Sequence, residues 1–249
     1  MTQCVTSKTN PTVQHVRKLM TQRKYRYDCR AFVADGTKLV GEALRYGAGV
    51  ELLLLQQGVD YPVPEGVRTL TLSQAVMGDL SRMETPQGVM AVCRMPETAP
   101  DLTVAPGCLI LDGLQDPGNL GTILRTADAL EVPVYLSDGC ADPYSEKTVR
   151  SAMGAVFRSP PVQAEQQDLL RACREAGIPV CVTALSERAE DIRRLPLQDC
   201  AVVIGSEGRG AGPFWRREAE MEGIIPMSAH CESLNAAVAA AIVMWQMKR

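Results

Sequence analysis

The stretch that decides the fold begins with the apolar run Ala201-Val202-Val203-Ile204 and continues into Gly205-Ser206-Glu207-Gly208-Arg209-Gly210-Ala211-Gly212. The apolar run has the length of a buried strand. The four glycines that follow allow the backbone to approach a ligand closely. This pair of segments predicts a ligand site at the end of a buried strand.

A second apolar run, Gly223-Ile224-Ile225-Pro226-Met227, leads towards an alanine-rich segment that starts at Ser233. Ser233 is a plausible N-cap, and the alanines predict a thin helix that another backbone can approach. The C-terminal residues 200–249 are therefore predicted to form a strand, glycine-rich loop, short helix, strand, loop and helix.

Two other interpretations of this region are weaker. The segment Gly208-Arg209-Gly210-Ala211-Gly212 resembles a dinucleotide fingerprint, but that motif belongs in a βαβ unit near the start of a domain. His230, Glu232 and Ser233 contain the residue types of a hydrolase triad, but they are too close in sequence for the usual geometry. The loop also lacks the Gly-x-Ser-x-Gly elbow.

A third segment lies upstream, with Asn119, Gly121 and Arg125 in the pattern Asn-x-Gly-x-x-x-Arg. Together with Gly-Ser-Glu-Gly-x-Gly and then Ile-Pro-Met followed by Ser-Leu-Asn, it resembles the three motifs of the SpoU (TrmH-like) RNA 2′-O-ribose methyltransferases. The order and spacing agree across about 130 residues. A linking segment at residues 149–155 is also similar to the family.

The resemblance implies an S-adenosylmethionine cofactor and assigns residues to it. Cofactor contact is expected at Ala184, Gly205, Glu207, Gly208, Ile225, Met227, Ser233 and Leu234. Catalytic roles are expected at Arg125, Asn119, Glu207, Ser233 and Asn235. The family assigns activation of the 2′-hydroxyl to the motif arginine, here Arg125. Because a guanidinium keeps its proton, we expect Arg125 to hold the target phosphate and stabilise the developing alkoxide.

The N-terminal third predicts a small α/β/α domain. Strands and helices alternate from residue 31 to residue 93, after a helix that Asn10 and Pro11 begin. This part resembles the L30e-like substrate domain of many SpoU enzymes, including Phe32, Gly36, Lys38 and Val40. Asp35 departs from the pattern, in which a glutamate is usual.

We therefore predict an RNA substrate-binding domain at residues 1–94, a proline-containing linker at 95–107 and a methyltransferase domain at 108–249. In the last of these, the alternation of strands and helices predicts a mostly parallel α/β sheet. The resemblance implies more, a SPOUT-type domain with a deep trefoil knot.

The net charge of −3 is not that of a typical nucleic-acid-binding protein, but the cations are clustered. The first thirty residues interleave Tyr25 and Tyr27 with basic side chains, which suits phosphate contact and base stacking. A solvated helix face is the alternative. The expected RNA-binding residues are Arg17, Lys18, Arg23, Lys24, Arg26 and Arg30.

The sequence shows no export signal and no apolar run long enough to span a bilayer, so we expect a cytoplasmic protein without a membrane partner. The nine cysteines lack Cys-x-x-Cys pairing, which argues against a metal site and against a disulfide framework.

The expected function is methylation of a ribose 2′-hydroxyl, with large-subunit (23S-type) rRNA as the favoured substrate because of the N-terminal domain. The alternatives are a tRNA 2′-O-methyltransferase and a non-catalytic RNA-binding assembly factor with the same fold. The alanine-rich last helix and the resemblance also lead us to expect a homodimer.

Overall fold

The computed structural model describes residues 4–97, 101–228, 230 and 233–249. The chain forms two compact units, each with its own sheet. The first unit combines Met1–Glu97 with Tyr144–Arg158, and the second combines Thr98–Pro143 with Ser159–Arg249. The chain therefore contributes to the first unit twice.

The described helices and strands are numbered in chain order. The helices are α1 (Pro11–Thr21), α2 (Arg23–Cys29), α3 (Thr37–Arg45), α4 (Gln74–Leu80), α5 (Pro117–Ala129), α6 (Glu146–Ala152), α7 (Ala155–Arg158), α8 (Gln166–Glu175), α9 (Pro213–Glu218) and α10 (Ala236–Met247). The strands are β1 (Ala31–Asp35), β2 (Val50–Gln56), β3 (Thr69–Leu72), β4 (Val89–Arg94), β5 (Cys108–Leu111), β6 (Val134–Leu136), β7 (Val162–Gln163), β8 (Val180–Thr183), β9 (Glu190–Asp191), β10 (Ala201–Ile204) and β11 (Met221–Ile224).

The first unit has a four-stranded sheet in the order β1-β4-β2-β3, with β4 antiparallel to both of its neighbours. Helix α1 begins as predicted, because the side-chain oxygen of Asn10 accepts the N–H groups of Thr12 at 2.9 Å and Val13 at 3.4 Å. The apolar side chains of α1 and α4 pack on one face of this sheet. Helix α2, which follows α1 almost at once, was not predicted.

The other face of the first sheet carries Phe32, which is 1% exposed. Its ring lies 4.9 Å from that of Tyr144 and 5.8 Å from that of Phe157. Arg158 also forms an ion pair with Glu42 of α3. The sequence-based division places residues 144–158 in the second domain. In the structure they cover a sheet face of the first unit, because their aromatic side chains bury Phe32.

The second unit has a seven-stranded sheet in the order β7-β6-β5-β10-β8-β11-β9. Every strand pair in it is parallel. Strands β5 and β10 are buried along their whole length, which explains their continuous apolar sequences. Helix α9 contributes the fully buried Trp215 to the core, and α10 packs against α5. The predicted parallel α/β sheet is confirmed.

The described cysteines are free, and most are buried. Burial raises the pKa of Cys93 and of Cys181 to about 12 and that of Cys173 and of Cys200 to about 11. Thiols with such pKa values stay protonated and unreactive at neutral pH. In the part of the chain that the structure describes, no helix is both long and apolar enough to cross a membrane.

Candidate functional site

A pocket of about 540 Å³ lies in the second unit, where β8, β10 and β11 end. Parallel strands present their carboxyl ends at one edge of a sheet, which is where ligands of α/β proteins bind. The volume lies within the range of small-molecule sites. All eight residues expected to contact a cofactor line it: Ala184, Gly205, Glu207, Gly208, Ile225, Met227, Ser233 and Leu234.

The loop after β10 forms one wall of the pocket. The backbones of Ser206 and Gly210 hydrogen-bond to each other in both directions, at 3.1 and 2.9 Å, so the loop closes on itself. A Cβ atom on Gly205 would lie 1.9 Å from the nitrogen of Ala211 and 1.9 Å from the carbonyl carbon of Gly210. Only glycine is compatible with this close approach of two backbone segments.

Asp112 anchors the far end of this loop, and the sequence analysis did not single it out. One carboxylate oxygen accepts the N–H of Gly212 at 2.7 Å, and the other accepts the hydroxyl of Ser137 at 2.7 Å. Asp112 directly follows β5, the neighbour of β10 in the sheet. An acid immediately after a buried strand was the signal that could have identified it.

The amides of Asn119 and Asn235 form a directed hydrogen-bond chain. The oxygen of Asn235 accepts the N–H groups of Ala237 at 2.9 Å and Val238 at 3.3 Å, so its nitrogen must point away from α10. That nitrogen donates to the oxygen of Asn119 at 3.1 Å, and the nitrogen of Asn119 donates to Glu207 at 2.6 Å. The N-terminus of α10 thereby orients the Glu207 carboxylate in the pocket wall.

The expected N-cap at Ser233 is wrong. Helix α10 begins at Ala236 and its N-cap is Asn235, whose side-chain oxygen reaches the first free N–H groups. Ser233 precedes the cap, is exposed and lines the pocket instead. His230 is exposed, and Glu232 of the hydrolase interpretation lies outside the described residues.

Arg125 is exposed on α5 and is not one of the residues that line the pocket. It follows Asn119 by six residues, roughly 240° around a helix of 3.6 residues per turn, so the two side chains leave α5 on different sides. Within the described ranges the side chain of Arg125 has neither a hydrogen bond nor an ion pair. Its guanidinium is available to a ligand outside the pocket.

The basic N-terminal residues differ in exposure. Lys18, Arg23, Lys24 and Arg30 are exposed, and Lys18 lies over the ring of Tyr25 at 5.4 Å. Arg17 is half-buried, and both Arg17 and Lys8 form ion pairs with Asp79. The hydrogen bond from Lys8, and to a smaller extent that from Arg17, lowers the pKa of the Asp79 carboxyl.

Arg26 is a correction to the expected RNA-binding set. It is 4% exposed, and its guanidinium donates to the carbonyl oxygen of Leu19 at 2.6 Å. Arg26 therefore joins α2 to α1 and is inaccessible to a phosphate.

In the described ranges, no group of three or more His, Cys, Asp and Glu side chains is arranged to hold a metal ion. The described site therefore consists of the pocket, the Asn235–Asn119–Glu207 chain, and the separate guanidinium of Arg125.

The fold and the site together define an α/β protein that binds a small organic ligand at the carboxyl edge of a parallel sheet. Residues 106–245 match the SpoU rRNA Methylase family, and residues 10–91 match the MRM3-like substrate binding domain. The chain belongs to the SpoU rRNA methylase family.

The relatives that match over nearly the whole chain include two 23S rRNA methyltransferases. The 23S rRNA (guanosine(2553)-2′-O)-methyltransferase RlmP of Bacillus subtilis is 34% identical over 247 residues, which cover 98% of this chain and 98% of RlmP. The 23S rRNA (uridine(2479)-2′-O)-methyltransferase of Streptomyces viridochromogenes is 31% identical, covering 96% of this chain and 90% of that protein.

A solved structure has a similar fold over nearly the whole chain. The crystal structure of an AdoMet-bound rRNA methyltransferase from Sinorhizobium meliloti superposes with a TM-score of 0.87 at 34% identity, covering 99% of this chain and 97% of that one. The resemblance inferred from the three motifs is thus confirmed at the level of family and fold.

Proposed function

We propose that this protein transfers a methyl group from S-adenosylmethionine to a ribose 2′-hydroxyl of large-subunit rRNA. One observation supports the proposal most directly. The Asn235–Asn119–Glu207 hydrogen-bond chain ends at Glu207, in the glycine loop that lines the pocket. Relatives of nearly equal identity that are named as 23S rRNA 2′-O-methyltransferases support both the reaction and the substrate class.

The pocket suits the proposed cofactor. Glycines and backbone at Gly205 and Gly208 offer close approach to a nucleoside, and Ile225, Met227 and Leu234 provide apolar surface for its base. S-adenosylmethionine supplies a methyl carbon that is already electrophilic because it is bonded to a sulfonium. The protein therefore needs mainly to position the two reactants.

Arg125 is proposed to bind the target phosphate and stabilise the alkoxide that develops at the 2′-oxygen. Its exposure and lack of a partner in the described ranges leave its N–H donors available. The side-chain amides of Asn119 and Asn235 hold Glu207 in place, and Ser233 lines the pocket. We propose that these four residues position the reactants for catalysis.

The first unit is proposed to bind the RNA. The match of residues 10–91 to a substrate-binding domain supports this assignment, as do the exposed cations Lys18, Arg23, Lys24 and Arg30 beside tyrosines. The sequence-based boundaries at 94 and 108, with a linker between them, are retained as part of the proposal, except that residues 144–158 are assigned to the first unit. An rRNA substrate and the bacterial origin of the two relatives named above support a cytoplasmic location.

We also propose that the protein is a homodimer with a trefoil knot in each second unit, as the family resemblance implies. Helix α10 exposes Val238, Ile242 and Trp245, which are 49%, 38% and 62% exposed and share one helix face. A partner's surface would bury this stripe, and we expect the paired second units to complete each other's RNA-facing site.

The dimer is tested by light scattering at micromolar concentration. Trp245→Glu should give a monomer because it places a charge in the interface, whereas Val63→Glu, at an exposed valine of the first unit, should leave the mass unchanged. A monomeric wild type with full activity rules the dimer out.

The reaction itself is tested by mapping ribose methylation across the large-subunit rRNA from cells with and without the gene. One ribose should lose its methyl group when the gene is deleted, and the purified protein with S-adenosylmethionine should restore it. Loss confined to a tRNA points to the tRNA alternative, and an unchanged map in a strain with defective ribosome assembly points to an assembly factor.

A further inference from the structure

Among the residues that the structure describes, three charged side chains line the pocket, namely Glu207, Arg209 and Arg216. The carboxylate of Glu207 has a defined partner in Asn119. Arg209 occupies the variable position of the Gly-Ser-Glu-Gly-x-Gly motif and Arg216 lies outside the three motifs, so neither has a role assigned by the family resemblance. Arg216 is the better fixed of the two, because a helix carries it.

Arg216 lies on α9, the short helix that follows the glycine loop. One terminal nitrogen of its guanidinium donates to the carbonyl oxygen of Arg209 at 3.1 Å, which braces the guanidinium against the loop. A guanidinium has five N–H donors, so this bond leaves most of them free to face the pocket.

The neighbouring arginine behaves differently. Arg217 donates to the carboxylate of Glu218 at 2.8 Å and does not line the pocket. For Arg216, no carboxylate lies within ion-pair distance in the residues that the structure describes. A positive charge that lines a pocket, is held by one backbone contact and lacks an acidic partner is suited to bind an anionic group of the ligand.

We propose that Arg216 binds the α-carboxylate of the methionyl group of the cofactor. This inference rests on the proposed function. The methionyl end of S-adenosylmethionine carries one carboxylate and one ammonium group, and the pocket offers charges of both signs in Arg216 and Glu207. The remaining lining is mostly apolar or glycine, which suits the adenosine end.

Isothermal titration with three ligands tests the assignment. S-adenosylmethionine and S-adenosylhomocysteine both carry the carboxylate, and 5′-methylthioadenosine lacks the amino-acid end altogether. Arg216→Gln should weaken the first two by about tenfold or more, the effect of losing a hydrogen bond to a charged group. The affinity for 5′-methylthioadenosine should stay within about twofold, because that ligand never uses the guanidinium.

Arg217→Gln is the matched control, an adjacent arginine on the same helix, and should leave all three affinities unchanged. Arg216→Lys should recover part of the loss, since it keeps the charge without the planar fork. Thermal melting of each variant shows that the fold is retained.

The assignment is overturned by unchanged affinities in Arg216→Gln, or by equal losses for all three ligands, which would mean that Arg216 acts only by bracing the loop. Weaker RNA binding with unchanged S-adenosylmethionine binding would assign Arg216 to a phosphate instead. A wild-type protein that binds none of the three ligands contradicts the proposed function itself.

Discussion

The pocket wall and the basic helices organise their polar groups in opposite ways. Next to the loop that forms the pocket wall, the side chains of Asp112, Asn119 and Asn235 each hold a hydrogen-bond partner from another segment of the chain. On α1 and α2, Lys18 and Lys24 project into solvent. One region is fixed before any ligand arrives, and the other presents exposed charge.

This difference follows from what each region is proposed to bind. A small cofactor must be held in one orientation for an in-line methyl transfer, so pre-organised contacts are useful. RNA offers many equivalent phosphates, and long cationic side chains gain most from remaining adaptable. Arg125 resembles the basic helices in its exposure, although it belongs to the unit that contains the pocket.

Changing the fixed backbone should have the largest effect on cofactor binding. In Gly205→Ala the new methyl group would overlap the backbone of Gly210 and Ala211, so S-adenosylmethionine binding should be lost and the melting temperature should fall. Gly78→Ala, on α4 of the first unit, is the control, because a Cβ there meets nothing within 4 Å. Calorimetry and thermal melting of both variants measure the difference. Equal behaviour of the two alanines would contradict the rigid-wall description.

Removing the exposed guanidinium of Arg125 should lower the methyl-transfer rate without weakening cofactor binding. Arg125→Ala should lower the methyl-transfer rate by about 100- to 1,000-fold, as expected for losing a group that stabilises charge in the transition state. The affinity for S-adenosylmethionine should stay nearly constant, because Arg125 does not line the pocket. Arg125→Lys should restore little. Single-turnover rates and calorimetry check this, and a matching loss of cofactor affinity would show that Arg125 supports the pocket.

Neutralising the adaptable charges should give a smaller, salt-dependent effect. The triple variant Lys18→Gln, Arg23→Gln and Lys24→Gln should weaken RNA binding and lower its salt slope by roughly one for each phosphate that is no longer neutralised. Binding isotherms at several salt concentrations measure the slope. Arg171→Gln, at an exposed arginine of α8, serves as the control. An unchanged slope in the triple variant would remove these cations from the RNA-binding surface.

Much of the local structure could be predicted because its causes are local. Asn10 and Pro11 identify the start of α1, and the apolar run 201–204 identifies β10. The three motifs also contain residues that the fold brings together, since Asn119, Glu207 and Asn235 form one hydrogen-bond chain. These residues are far apart in sequence, so spacing alone could not predict that they lie close together. The family resemblance provided that expectation.

The features that were missed depend on tertiary packing. Arg26 was grouped with its basic neighbours, yet the packing of α2 against α1 buries it on the carbonyl of Leu19. Phe32 is covered by Tyr144 and Phe157, more than a hundred residues later, so no local pattern could assign residues 144–158 to the first unit. Asn235, and not Ser233, caps α10 because the side-chain oxygen of Asn235 accepts two backbone N–H groups of the helix.

The central claim is that the acceptor atom is the ribose 2′-oxygen. Two versions of one rRNA fragment test it most directly, each containing the nucleotide identified by methylation mapping, one with the target 2′-hydroxyl and one with 2′-deoxyribose at that position. Transfer of a labelled methyl group from S-adenosylmethionine is measured together with the affinity for each fragment. We predict similar affinities, methylation of the hydroxyl fragment and no methylation of the deoxy fragment. Equal methylation of both fragments would place the methyl group on the base and would contradict the role proposed for Arg125.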